Sequence, residues 1–183
     1  MRSAVAALES LPREMSLSVN ASPEVVLTGR LNEVFAGVDP RRLILEITEH
    51  ASIADYKELN EALQPLRVSG MRLAIDDAGA GYASLRHILW LNPEIIKLDM
   101  SITRDLDSDL ARAALASALI NFAKQVGSTV VAEGVETRGE LFALRDLGVD
   151  AAQGYYLGQP TDLTDVIEGT HVPWARRSQA VAI

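Results

Sequence analysis

Short apolar runs alternate with longer stretches of helical spacing along most of this chain. The runs that predict strands are residues 17–20, 43–48, 72–77, 95–99, 129–133 and 151–156. Runs this short and rich in Val and Ile are typical of strands buried on both faces of a parallel sheet. The alternation with helical stretches therefore predicts parallel strands joined by right-handed helical crossovers.

The stretches between the runs predict three helices. Their apolar positions are Leu59, Ala62, Leu63 and Leu66 in the first, Leu110, Ala114, Leu119 and Phe122 in the second, and Leu141, Leu144 and Leu147 in the third. The first set follows the i, i+3, i+4, i+7 spacing of one buried stripe. Asp109 is expected near the start of the second helix, with Gly127 and Gly148 ending the last two in left-handed caps. Pro65 is expected to kink or shorten the first helix, because proline removes a backbone donor.

Two architectures fit this alternation, an open doubly wound sheet and a barrel. The sequence has no glycine-rich dinucleotide loop after the first run and no Walker lysine loop, so the nucleotide-fold signals are missing. At 183 residues, the chain is long enough for a real core but shorter than the ~250 residues of a complete (βα)8 barrel.

Composition narrows the classes of function. The content of 48% hydrophobic and 23% charged residues argues against disorder. A net charge of −8 argues against duplex DNA as a partner, because neutralising phosphates needs a basic face. The lack of Cys excludes disulfides and thiolate chemistry. We see no apolar run of membrane-spanning length and no signal peptide, so we expect a cytoplasmic protein, although its parent could be tethered to a membrane.

Polar side chains stand at the end of every predicted strand. They are Asn20, Glu46, Asp76 with Asp77, Lys97 with Asp99, Glu133 with Glu136, and Gln153. In a parallel barrel all of these ends open on one rim, where catalytic groups collect. Several carboxylates close together resist ionising at once, and a divalent cation would resolve that conflict. A donor set made only of oxygen favours Mg²⁺, Mn²⁺ or Ca²⁺ over Zn²⁺.

Taken singly, each of these residues also has an ordinary structural explanation. These explanations are a helix cap at Asn20, an ion pair of Glu46 with Arg42 or Arg72, turns at Asp76-Asp77 and Glu133-Gly134, and an ion pair of Lys97 with Asp99. We expect His50 and His87 to be packing or helix-surface residues and not ligands. Six strand ends that agree in type and place are far more specific than any one of them.

Six motifs stand in a fixed order along the chain. They are SVNASP at 18–23, EITE at 46–49, DDAGAGYASL at 76–85, IKLD at 96–99, AEGVET at 132–137 and QGY at 153–155. In this order they resemble EAL domains, the phosphodiesterases of the bacterial messenger cyclic di-GMP. The resemblance implies an α/β fold, a TIM-like (βα) barrel that is incomplete here, with about six parallel strands. The partial domain would cover residues 1–165, followed by a loosely ordered tail over 166–183.

The resemblance implies a two-metal site built from five of the strand-end residues. Asn20, Glu46 and Asp76 would be ligands of one ion. Asp76 would bridge to a second ion, with Asp77 beside it. Glu133 would be a metal-site carboxylate with a catalytic role, sometimes described as the general base. The expected ions are Mg²⁺ or Mn²⁺, and the implied reaction hydrolyses one phosphodiester of cyclic di-GMP to give pGpG.

The resemblance also implies roles for four other residues. Lys97 would be catalytic, holding or polarising the attacking water. Gln153 would line the second ion and its waters, and Asp99 would belong to the substrate-binding surroundings. Glu136 would anchor the loop 78–84, which couples the metal site to dimer contacts.

Two departures from the family pattern bear on activity. Ala78 and Ala80 stand where the family usually has Phe and Thr, so we expect weaker signalling from the loop 78–84 to a partner subunit. The family's Glu-Ala-Leu motif belongs on a strand ahead of Asn20, whereas the letters at 61–63 fall inside a predicted helix and are a decoy. We therefore expect this chain to lack one metal ligand, a phosphate-contacting arginine and two of eight strands, and to be inactive or weak by itself.

The expected partners follow from the same resemblance. They are cyclic di-GMP, a second copy through the loop 78–84, and an upstream sensor or GGDEF-type domain in the parent protein. Open strand edges invite pairing with another chain, so oligomers or poor solubility are expected. Two alternatives stay open. One is a degenerate EAL module that binds cyclic di-GMP or a partner protein without cleavage. The other is an unrelated βα-barrel hydrolase or aldolase that uses Lys97 as a Schiff-base amine.

Overall fold

The structure is a computed structural model that describes Leu8, residues 11–48, 52–79 and 81–161, and Asp165. The expectations that concern Glu49, His50, Ala80 and the tail 166–183 lie outside the described residues.

Six parallel strands form one sheet. They are β1 Leu17–Asn20, β2 Leu43–Thr48, β3 Arg72–Ala78, β4 Ile95–Leu98, β5 Thr129–Ala132 and β6 Ala151–Ala152. Each strand pairs in parallel with the next one along the chain, so the order in the sheet is the order in the sequence. A doubly wound sheet would reverse direction at a switch point, whereas a barrel adds strands in one direction only. The prediction of an incomplete TIM-like barrel is confirmed, with the sheet curled into a half-barrel.

Helices follow the strands as the alternation predicted. They are α1 Pro23–Leu27, α2 Leu31–Val34, α3 Tyr56–Val68, α4 Tyr82–Leu91, α5 Met100–Thr103, α6 Leu110–Val126 and α7 Arg138–Leu147, with a short 3-10 helix at Pro40–Arg42. Within the described ranges, every helix falls short of the length and apolarity that crossing a bilayer requires.

The helix ends confirm the capping predictions. The Asp109 side chain accepts hydrogen bonds from the backbone N–H groups of Ala111 and Arg112 at the start of α6. Gly127 and Gly148 end α6 and α7 with φ of 80° and 81°, a left-handed conformation in which glycine has no side-chain penalty.

Two expectations about the helices need correction. Helix α3 is not shortened at Pro65, because it continues to Val68. A proline this late in a helix removes only one hydrogen bond, and its ring faces solvent here. Of the residues that marked α6, Leu119 is buried and Phe122 packs against the core as predicted, whereas Leu110 is 89% exposed and Ala114 is exposed. Ala116, Ile120 and Ala123 complete the buried face.

The two faces of the sheet carry separate apolar clusters, because side chains alternate along each strand. The face toward the helices joins the main core, which includes Val19, Leu45, Ile75, Leu98 and Val130. The opposite face carries a small second cluster of Ile44, Ala74, Ile95, Val131 and Ala151. The strand-end charges extend from this second face, which corresponds to the interior of a barrel.

The sixth strand is shorter than predicted, because it ends at Ala152 and not at residue 156. The following chain turns over the loop between β5 and α7, where Val135 N–H donates to the Gln153 carbonyl. Gly154 has φ of 154°, and a Cβ there would collide with the backbone of Val135. The turn therefore requires glycine, and it lifts Gln153 over the end of the sheet.

Candidate functional site

Four neighbouring strands bring charged side chains together around Lys97. Its Nζ lies 2.8 Å from Asp76 Oδ1, 2.8 Å from Glu133 Oε1 and 3.2 Å from Glu46 Oε2. The cluster stands at the C-terminal ends of β2 to β5, on the face of the second apolar cluster. The structure thus places three of the sequence-predicted carboxylates within contact distance of Lys97, a fourth sequence-predicted site residue.

Strand stagger explains why these residues meet. Glu46 pairs in register with Ala74 and not with Asp76, and Lys97 pairs with Val131 and not with Glu133. Barrel strands are tilted, so positions further along successive strands arrive at the same height above the sheet. The charged side chains of the cluster therefore lie at a similar height on the rim, although their residues are not paired in register.

A bulge in β3 brings two successive carboxylates to the same place. The register between β3 and β4 shifts between Ile75 and Ala78, and Asp77 has φ of 56°. An extra residue in a strand lets neighbours project to one side, where an unbroken strand would send them to opposite faces. Carboxylate oxygens of Asp76, Asp77 and Glu133 lie within 4.8 Å of one another.

Burial and charge set the protonation of this cluster. Lys97 is only 8% exposed. Burial acts to lower the pKa of Lys97, but its hydrogen bonds to Asp76 and Glu133 outweigh that effect and raise the pKa above its usual value. Burial raises the pKa of Glu133 to about 7, although the nearby ammonium acts to lower it. Lys97 therefore stays charged, while Glu133 can hold or release a proton near neutral pH.

The donor set fits a hard divalent cation. The carboxylates of Glu46, Asp76 and Glu133 contact the ammonium of Lys97. The Asp77 carboxylate lies beside those of Asp76 and Glu133, so the fully ionised cluster carries a net negative charge. Carboxylate oxygens are the ligands that Mg²⁺, Mn²⁺ and Ca²⁺ prefer. Among the described residues, Asp76, Asp77 and Glu133 are close enough to hold one ion together, and Glu46 joins the cluster through its contact with Lys97.

The remaining sequence-predicted residues divide into two groups. Gln153 belongs to the cluster, because its Nε2 donates to Glu133 Oε1. Asn20 ends β1 as the register partner of Glu46 and is exposed. In contrast, Asp99 Oδ1 accepts from the N–H of Ser101 and caps α5. Glu136 Oε1 accepts from Arg104 Nη2 at 2.7 Å.

Most of the ordinary structural explanations do not describe this site. Glu46 contacts Lys97, while Arg42 donates to backbone carbonyls of residues 11, 12 and 15, and Arg72 donates to Ser16. His87 is a buried packing residue as expected, with Nδ1 2.8 Å from the hydroxyl of Tyr56.

The Glu-Ala-Leu letters at 61–63 lie inside α3, as expected of a decoy. The Glu61 side chain is 69% exposed, and its Oε1 lies 3.9 Å from Lys57 Nζ. It therefore takes no part in the carboxylate cluster at the rim.

Sequence reasoning missed a groove and a buried hydroxyl. The groove, with a volume of about 230 Å³, lies below the cluster and is lined by Ser16, Ser18, Ile44, Glu46, Ile95, Lys97, Val131 and Gln153. Ser18 could have been found, because alternation puts it on the same face as Asn20. The buried hydroxyl belongs to Thr103, which donates to the backbone carbonyl of Glu133. No strand-end pattern points to it, because it lies in a four-residue helix.

A parallel half-barrel with carboxylates gathered at its C-terminal rim defines a barrel of the kind that houses metal-dependent enzymes. The sequence model of one family, described as EAL domain, matches residues 1–160. The chain belongs to the EAL domain family.

Named relatives agree with this membership. Cyclic di-GMP phosphodiesterase PdeF of Escherichia coli is 31% identical over 156 residues, covering 82% of this chain and 21% of that protein. Bifunctional diguanylate cyclase/cyclic di-GMP phosphodiesterase MucR of Pseudomonas aeruginosa is 35% identical over 123 residues, covering 67% of this chain and 18% of that protein. The chain spans about a fifth of the length of the curated relatives it matches.

A solved structure shows the same architecture. The manganese and cyclic di-GMP complex of Klebsiella pneumoniae BlrP1 superimposes with a TM-score of 0.78 and 33% sequence identity, covering 87% of this chain and 43% of that one.

Proposed function

We propose that this chain is the catalytic part of a cytoplasmic phosphodiesterase that hydrolyses cyclic di-GMP to pGpG with Mg²⁺ or Mn²⁺. The observation that carries the proposal is the buried Lys97 held among Glu46, Asp76 and Glu133 at the rim. The names of the relatives and the ligands of the BlrP1 complex support the same substrate and kind of ion.

The residues of the cluster divide the chemistry among them. Two divalent cations, when bound, supply Lewis acidity and orient the groups of an in-line displacement at phosphorus. Asp76, Asp77 and Glu133 would hold these ions, together with Glu46 and Asn20. Lys97 keeps a positive charge beside the reacting phosphate, where negative charge develops in the transition state.

Glu133 can also hold a proton. Without an ion, burial raises the pKa of Glu133 to about 7. A bound cation would favour its ionised form, in which this carboxylate could accept a proton from an attacking water. Gln153 donates to the same carboxylate and fixes its orientation.

The direct test incubates the chain with cyclic di-GMP and either Mg²⁺ or Mn²⁺ and measures pGpG by chromatography. Product should require the metal and should be lost in Lys97→Met. The matched control is Lys57→Met, which removes an exposed lysine on α3 and should leave turnover unchanged. Metal-dependent product from Lys97→Met at the unmodified rate would contradict the role given to this lysine.

We expect the chain by itself to be weak, because its Glu-Ala-Leu letters lie on α3 and not at the rim. The same assay should therefore include a longer version of the protein that carries a Glu-Ala-Leu strand ahead of β1. If that version also makes no pGpG, the enzyme proposal is wrong. Tight binding of cyclic di-GMP by calorimetry with no product would instead establish a module that binds without cleavage.

The partners implied by the family are part of the same proposal. Helix α4 begins within the segment 78–84, at Tyr82. Further along, it presents apolar side chains to solvent, with Leu89 68% and Trp90 61% exposed. We therefore propose that the dimer contact involves the loop 78–84, as the resemblance implies, together with the exposed side chains of this helix. The domain organisation named for MucR supports a GGDEF-type partner domain in the parent protein. Light scattering should show a dimer that Leu89→Glu converts to a monomer, whereas Leu110→Glu on α6 should have no effect.

A further inference from the structure

The short helix α5 packs directly against the loop that carries Glu133. Thr103, the last residue of α5, is fully buried, and its Oγ1 donates to the backbone carbonyl of Glu133. Oγ1 also lies 3.3 Å from the carbonyl of Met100 within the same helix. The next residue of the loop, Gly134, has φ of 67°, and a Cβ there would lie 2.5 Å from Met100 Cβ. The loop therefore approaches α5 too closely at Gly134 to accommodate a side chain there.

Thr103 completes a set of contacts that holds Glu133 on both sides of its backbone. The N–H of Glu133 donates to the carbonyl of Leu98 at 3.1 Å, and its own carbonyl accepts from Thr103. Leu98 directly follows Lys97 in β4. The backbone of Glu133 is thus held on one side by the strand that carries Lys97 and on the other by α5, which restricts how its peptide groups can turn.

The Thr103 hydroxyl holds a peptide group that could otherwise rotate. Gly134 follows Glu133, and glycine leaves the shared peptide group freer to rotate than any other residue would. A buried carbonyl that loses its donor must find another partner, and rotation of this peptide is the simplest way to do so. That rotation would swing the Glu133 carboxylate relative to Asp76 and Asp77.

We infer that Thr103 is a positioning residue that sets the orientation of Glu133 in the metal site. The inference rests on the proposed function, because the ion at this site is the Mg²⁺ or Mn²⁺ of that proposal. Thr103 touches neither substrate nor ion in this account and acts only through the Glu133 carbonyl.

The test compares Thr103→Val, which removes the hydroxyl and keeps the shape, with Thr103→Ser, which keeps the hydroxyl. The first readout needs no metal: the ¹⁵N chemical shift of the Gly134 amide, which responds to hydrogen bonding at the preceding carbonyl. The second is the affinity for Mn²⁺ by electron paramagnetic resonance. Valine should displace the Gly134 signal and weaken Mn²⁺ binding about fivefold, the size expected for one lost hydrogen bond. Serine should leave both near those of the unmodified chain.

The readouts separate this inference from the proposed function. If the valine variant keeps the Gly134 shift and the Mn²⁺ affinity of the unmodified chain, the inference is wrong and the proposed function stands. If neither the unmodified chain nor the longer version with a Glu-Ala-Leu strand ahead of β1 binds Mn²⁺, the proposed function fails, and the positioning role in a metal site fails with it. A merely structural role would lower the melting temperature of the variants without changing Mn²⁺ affinity, and that result would also overturn the inference. Thr103→Ala replaces the valine variant in the same scheme if the latter does not fold.

Discussion

Lys97 introduces a positive charge into a cluster whose other charged members, among the described residues, are carboxylates. With Glu46, Asp76 and Glu133 all within 3.2 Å of its Nζ, it offsets a repulsion that would otherwise oppose folding of the rim. The lysine is therefore as much a condition for assembling the site as a participant in its chemistry.

Replacing that lysine should cost stability in the absence of metal. Lys97→Met leaves buried carboxylates without their cation, and removing one partner of a buried ion pair costs on the order of 3–5 kcal/mol. Urea unfolding in EDTA should show this loss, and added Mn²⁺ should restore part of it. Lys57→Met, which breaks an exposed pair with Glu61, should cost no more than about 0.5 kcal/mol. Equal losses in the two variants would show that the rim charges are not coupled.

Glu133 should make the stability of the metal-free protein depend on pH. Its pKa rises from 4.5 to about 7 on folding, mainly through burial. The folded protein therefore holds more protons than the unfolded chain between these values, and this group lowers stability as pH rises through that window. Unfolding free energies in EDTA should fall from pH 4.5 to pH 7, and Glu133→Gln should flatten the fall. A slope that persists unchanged in the variant would assign it to other groups.

At the scale of elements, the buried Glu140 side chain connects the segment after α5 to the loop between β5 and α7. Glu140 of α7 accepts hydrogen bonds from the backbone N–H groups of Asp105, Glu136 and Thr137. It also forms a capping box with Thr137 at the start of α7. The loop that carries Glu133 is thus held to the segment after α5 by a side chain that lies outside the rim.

Protonation of Glu140 in acid should weaken these hydrogen bonds. Burial acts to raise the pKa of Glu140, but hydrogen bonds from three backbone groups outweigh it and lower the pKa below the usual 4.5. Its contribution to stability is present above pH 4.5 and is lost as pH falls through the lower folded value. Glu140→Gln should therefore destabilise the protein at pH 6 while reducing the further loss in acid, measured by thermal unfolding. Glu58→Gln on the exposed side of α3 is the control, and matching profiles for the two variants would contradict the assignment.

Sequence patterns predicted the elements whose ends depend on local sequence and not on contacts with distant residues. Strands β1 and β2 have the predicted ends, because each is a simple apolar run with a polar end. The bulge at Asp77 and the early end of β6 depend on neighbours instead. One follows from the register with β4, and the other from close packing of Gly154 on Val135. The contact of Thr103 was not predicted for the same reason, because its partner Glu133 is 30 residues away in the sequence.

At the scale of the whole molecule, the residues of the main core and those of the candidate site lie on opposite faces of one sheet. The helix-facing side holds the large core, and the opposite side holds a small cluster, the groove and the charged rim. Leu45 and Ile44 are neighbours in β2 that are both fully buried, yet they belong to opposite sides. They therefore form a matched pair for comparing the two faces.

Truncating each of these two residues should give different losses. Leu45→Ala opens a cavity inside the dense core and should cost about 3 kcal/mol in urea unfolding, within the range for buried leucine. Ile44→Ala widens a groove that is already open, so water can fill the space and the loss should be about half as large. Mn²⁺ affinity should show the reverse order, because Ile44 lies two residues before Glu46 on the same face. A larger loss of stability for Ile44→Ala would mean that the inner face, and not the helix layer, holds this half-barrel together.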